Sequence, residues 1–91
     1  MNNIHLIKLK ETFVTPILNG EKTFEIRIND RGYNKGDLIK FIVVDNNGNR
    51  DNYSPFSKAF DIETKTYEIT YILSGFNIDK DYVVFSFKEY K

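Results

Sequence analysis

Gly20-Glu21-Lys22-Thr23-Phe24-Glu25-Ile26-Arg27-Ile28, followed by Asp30-Arg31-Gly32-Tyr33 and Gly36-Asp37, is the stretch on which the reading of the chain turns. It joins a helix stop, a strand and a concentrated set of charges. Along residues 22–28 successive side chains alternate between two faces. Phe24, Ile26 and Ile28 share one face, which the alternation assigns to the core. Thr23, Glu25 and Arg27 share the other, with Lys22 where the strand begins. A hydroxyl, a carboxylate and a guanidinium in a row form either a surface ion-pair ladder or the floor of a polar pocket.

Working outward, residues 3–9 read as a first strand with His5, Ile7 and Leu9 on one face. Residues 11–19 read as a short helix whose apolar stripe is Phe13, Ile17 and Leu18. An interior proline would remove a hydrogen bond, so Thr15 is expected at the N-cap and Pro16 at the first helical position. Gly20 suits the left-handed residue after the helix end. Residues 29–36 are a polar loop, and residues 38–45 an apolar third strand, central or covered on both faces. Asn46-Asn47-Gly48-Asn49 signals a hairpin with a type I′ turn. Residues 50–65 carry no clear pattern, and Ser54-Pro55 breaks any strand there. Residues 66–73 alternate, Tyr67, Ile69, Tyr71 and Leu73 against Thr66, Glu68, Thr70 and Ile72. Residues 74–80 form a turn and residues 82–90 a closing strand. Five or six strands with one short helix after the first predict a mainly β (α+β) domain, a small β-barrel spanning residues 1–91 without a domain boundary.

The chain has 91 residues, enough for one modest core, with 41% hydrophobic and 29% charged residues. Eight Phe and six Tyr suit a β-rich interior. Without cysteine there are no disulfides or thiolate metal sites, and a single histidine argues against zinc, so neither metal nor cofactor is expected. No apolar run is long enough to cross a membrane and no signal peptide is evident, which predicts a soluble, cytoplasmic protein. Thirteen basic residues balance thirteen acidic ones. A duplex-gripping protein is usually basic, because phosphate neutralisation supplies its affinity. Any nucleic-acid contact here must come from a local patch, suited to a nucleotide or a short single strand.

The motif Gly-x-Lys-Thr-x-Glu-x-Arg, then Asp-Arg-Gly-Tyr and Gly-Asp, resembles the ASCH domains of the PUA-like superfamily, in particular the DUF3850-type small proteins. His5 to Lys8 is similar to that group's opening strand, and residues 69–73 and 81–87 to its closing strands. Residues 52–58 depart from it, lacking the Tyr-Thr-Gly-Arg often found there. The resemblance implies a PUA-like pseudobarrel with a ligand cleft between the short helix and the second strand.

The residues themselves leave several readings open. Arg27 offers a planar fork of donors for phosphate or carboxylate, and Glu25 could accept from the exocyclic amine of a base. Lys22 is either solvated or, as the resemblance implies, part of the cleft beside Thr23. Arg31 and Tyr33 leave a turn where they could contact a phosphate and stack on a base. Gly36-Asp37 reads as a structural turn, and His5 as a satisfied structural histidine. Lys8 and Lys10 could add positive potential at the cleft mouth. Together Lys22, Thr23, Glu25, Arg27, Arg31 and Tyr33 are the expected ligand-binding set, with RNA or a nucleotide as partner. One alternative is a hydrolase of a modified nucleoside. In similar enzymes acting on acetylated cytidine the motif lysine activates a threonine, but Glu25 stands in that position here. The other alternative is a protein-interaction module using the aromatic surface.

Overall fold

Five strands form one mixed sheet in a computed structural model of the protein, which describes residues 3–50 and 58–91. The elements run β1 (Ile4–Lys10), a 3-10 turn (Glu11–Phe13), α1 (Val14–Leu18), β2 (Phe24–Ile28), β3 (Leu38–Val44), α2 (Lys58–Glu63), β4 (Tyr67–Leu73) and β5 (Tyr82–Glu89). The spatial order is β1-β3-β4-β5-β2. β1 and β3 are parallel, and the other pairs antiparallel. The sheet curls into a half-barrel, the mainly β, α+β architecture that the sequence predicts. Its two edges are β1 and β2, consecutive in the chain, and they meet across an open seam.

The core fills the concave side. Ile7 and Leu9 of β1, Ile39, Phe41 and Val43 of β3, Ile69 of β4 and Val83, Phe85 and Phe87 of β5 point into it. Val14 and Ile17 of α1 and Ala59 and Ile62 of α2 cover it. Phe41, Tyr67 and Phe87 pack as an aromatic triangle with centroids 5.2–5.7 Å apart. Burial of this kind contributes about 25 cal/mol per Å² of apolar surface, and it dominates the fold.

Several local expectations need correction. β2 is inverted: Phe24, Ile26 and Ile28 are 45%, 57% and 54% exposed, while Glu25 is only 5% exposed. The cause is the register with β5. Glu25 lies opposite Phe85 and Arg27 opposite Val83. Directly opposed residues of an antiparallel pair share a face, and a one-residue shift exchanges the faces. β5 has a continuous inward row, Val83, Phe85 and Phe87, and β2 follows it.

Phe13, rather than Thr15, is the N-cap of α1. Pro16 is the third helical residue, still among the four whose N–H has no intrahelical acceptor, so no bond is lost. Gly20, at φ 78°, ends the helix as expected. Its N–H bonds to Ile17 O and the Glu21 N–H to Pro16 O, a Schellman pair. The turn after β3 is not type I′, because only Gly48 has positive φ. The Asp45 carboxylate accepts from the Asn47 and Asn49 N–H groups instead, at 2.9 Å each. Along β4 the alternation breaks at a bulge between Ile69 and Tyr71. Tyr71 is therefore exposed, and Ile72 packs against the core. α2 lies within the stretch that carried no readable pattern. Its Glu63 accepts from the Val43 N–H at 2.7 Å and pairs with Arg50. Residues 51–57, with the expected break at Ser54-Pro55, lie outside the described residues.

Candidate functional site

The inverted strand turns its charges toward the seam, where they form a closed cluster. Glu25 is the hub. One carboxylate oxygen accepts from Lys22 Nζ, and the other accepts from Arg27 Nε at 2.9 Å. Lys22 Nζ also donates to Phe24 O at 2.7 Å. It lies 4.9 Å from the Phe13 ring centroid and 5.2 Å from that of Phe24, both within cation–π range. Lys22 is thus enclosed by a carboxylate, a carbonyl and two rings.

The arginines close the half-barrel. Arg27 Nη2 donates to Lys8 O, and Arg31 Nη1 donates to Leu6 O. Leu6 and Lys8 are two apart on β1, so their carbonyls leave the same edge of the strand. A sheet edge presents unpaired backbone groups that must find partners. Here guanidinium donors occupy the place of the missing ladder between β1 and β2. Arg31 also approaches Asp30, at 3.9 Å.

Two clefts lie along the seam. One of about 350 Å³ is lined by Lys8, Leu9, Lys10 and Phe13 on one side and Glu25, Ile26 and Arg27 on the other, with Val44 and Gly48 at its end. Lys8 and Lys10 are exposed, and neither takes part in an ion pair among the described residues. A second cleft of about 310 Å³ includes Ile26, Arg27, Ile28, Arg31, Tyr33 and Tyr82. Volumes near 300 Å³ are at the lower limit of small-molecule sites.

The expected set is therefore brought together in part. Lys22, Glu25 and Arg27 converge directly. Arg31 joins through the second cleft. Tyr33 lies there too, but it is 7% exposed, and its ring packs against His5 at 4.7 Å and Phe85 at 5.0 Å. Burial raises its phenol pKa above the ordinary value, partly offset by Arg31. Thr23 lies outside the two seam clefts. Together with Lys22 it lines a third cleft that includes Gly20, Lys65 and Tyr67. His5 is satisfied, as expected: Nε2 lies 2.8 Å from Asp37 Oδ2, which also accepts the Asn34 N–H at 3.0 Å. Sequence reasoning missed Phe13 and Tyr82 as cleft walls. The helical stripe assigned Phe13 to the core, whereas the 3-10 turn swings it over Lys22. No group of three metal-ligating side chains occurs among the described residues, and no helix is long and apolar enough to cross a membrane.

Fold and cluster together define a small open β-barrel protein whose seam is held by a carboxylate–guanidinium network. The chain belongs to the family described as Domain of unknown function (DUF3850), whose model matches residues 4–87. No curated protein matches the chain.

Proposed function

We propose that the chain is an ASCH domain of the PUA-like superfamily and that it binds a nucleotide or a short single-stranded RNA segment in the seam cleft. The observation that carries this reading is the meeting of unpaired cations and an aromatic wall in one cleft. Lys8, Lys10 and Arg27 face a single carboxylate, Glu25, giving a local charge of 3 − 1 = +2 in a chain of zero net charge. A phosphate is drawn to Lys8 and Lys10, whose ammonium groups form no ion pair among the described residues. A base lies against Phe13 and Ile26. Glu25 uses one lone pair on each oxygen for Lys22 and Arg27, and a carboxylate has about four acceptor sites. It therefore retains capacity for the exocyclic amine of a base.

Titration with nucleoside monophosphates, RNA oligomers and duplex DNA tests the reading. Single-stranded ligands are expected to bind better than duplex. Lys8→Ala with Lys10→Ala is expected to reduce the salt slope by about 1.4, or ~0.7 per phosphate contact on a single strand. Equal or tighter duplex binding, or an unchanged slope, overturns it. A second reading, a protein-interaction module, is favoured by the outward apolar residues of both seam edges: Ile4 and Leu6 on β1, and Phe24, Ile26 and Ile28 on β2. No binding to any nucleotide would select it.

A further inference from the structure

The two seam clefts are not independent. Ile26 and Arg27 wall both of them, and Ile28 continues the second. β2 from residue 25 to residue 28 advances about 10 Å at ~3.3 Å per residue, and the two clefts together are lined along that length. Each contains a partly exposed aromatic ring, Phe13 in the first and Tyr82 in the second, 39% and 38% exposed. Resting on the nucleotide reading above, we infer that the seam is a track for a single strand of two to three nucleotides, not a pocket for one.

The charge distribution sets the arrangement along the track. Lys8 and Lys10 stand at the first cleft without carboxylate partners among the described residues. At the second cleft Asp30 lies beside Arg31, and Arg31 already donates to Leu6 O. That end therefore has little attraction for phosphate. It offers the Tyr82 ring and Ile28, with the Tyr33 ring as floor, to a neighbouring base. Arg27 stands between the two clefts. Its Nε and Nη2 are engaged, and the remaining N–H groups of its fork can meet the linking phosphate. One nucleotide cannot reach both aromatic walls. A strand with splayed bases, advancing further per residue than the ~3.4 Å of a duplex strand, can.

A length series of oligoribonucleotides, from mono- to tetranucleotide, tests this with the full chain and with two variants. Tyr82→Leu removes the aromatic plane but keeps apolar bulk against Ile28, its partner across the strands. Lys8→Ala removes a phosphate contact. Affinity is expected to rise from mono- to trinucleotide by roughly 5- to 150-fold, the span of one base–aromatic stack, and then level off. Tyr82→Leu is expected to remove most of that rise while leaving mononucleotide affinity within about twofold of wild type. Lys8→Ala is expected to weaken every length. Binding independent of length, or a Tyr82→Leu effect equal at all lengths, overturns the track and leaves the nucleotide reading standing. Absence of binding at every length overturns both.

Discussion

Glu25→Gln is the substitution that most directly tests the seam cluster. Glu25 is 5% exposed and makes two charge-assisted bonds, to Lys22 and to Arg27. Glutamine keeps the shape but loses the charge, and its amide N–H₂ faces a cation. Removing one partner of a buried ion pair costs roughly 3–5 kcal/mol. The Lys22 and Arg27 side chains are 17% and 24% exposed, so water can partly rehydrate them and the cost falls to the lower end or just below it. We expect a loss of about 2–3 kcal/mol, or roughly 10–20 °C in Tm for a domain of this size. The Lys65–Glu89 pair, 3.5 Å apart with both side chains about one-third exposed, supplies the control. Glu89→Gln is expected to cost less than about 0.5 kcal/mol. Urea unfolding of wild type and both variants is the assay, with an unchanged m-value showing that only stability moved. If Glu25→Gln behaves like Glu89→Gln, the carboxylate does not hold the seam and the reasoning fails.

Three further outcomes are expected. Phe76 is 83% exposed at φ 53° in the turn closed by the Ile78 N–H to Gly75 O bond, a conformation that Asn tolerates better; Phe76→Asn is expected to stabilise by about 0.5–1 kcal/mol, read as a higher urea midpoint. Burial, with Glu89 adding to it, pushes the Tyr67 phenol up to about 12; the folded state holds that proton when the unfolded state has lost it, so this contribution is complete below pH 10 and falls away between pH 10 and about 12, and Tyr67→Phe is expected to flatten that part of a stability–pH curve. Purified protein is expected not to turn over acetylated cytidine in a Lys22-dependent manner, because Lys22, although it shares a cleft with Thr23, is committed to Glu25 and Phe24 O; turnover lost in Lys22→Ala would refute this.

The inward row of β1, the helix end at Gly20 and the closing strand were legible because each follows from a local rule: two-residue alternation, positive φ at a helix end, β-branched and aromatic composition. The faces of β2 were not. Reading Phe24, Ile26 and Ile28 as core applies binary patterning to one strand in isolation. The outcome depended on β5, whose inward Val83, Phe85 and Phe87 fix the faces of its neighbour. A strand with apolar side chains on one face and a self-satisfying charge set on the other has two workable orientations, and the pairing partner chooses. The convergence of Lys22, Glu25 and Arg27 was legible for a different reason. Their spacing lets Lys22 and Arg27 reach Glu25 from either side whichever face the strand presents. The bulge in β4 and helix α2 left no local signal, since both are set by tertiary packing.

The inversion also explains how a single row of residues can close the barrel and line its cleft. Had Glu25 and Arg27 faced outward, the carbonyls of Leu6 and Lys8 would have lost the guanidinium donors they now accept from. Facing the seam, Arg27 satisfies β1, anchors Glu25 and walls both clefts at once. This commitment limits what Arg27 can do for a ligand. An anion that drew its guanidinium away from Lys8 O would break a charge-assisted bond that holds the seam. Lys8 and Lys10 have no comparable commitment, and their ammonium groups can turn to a phosphate without opening the seam. On the proposed nucleotide reading, an anionic ligand is therefore bound first by the β1 lysines, with Arg27 contributing only the N–H groups the seam leaves over.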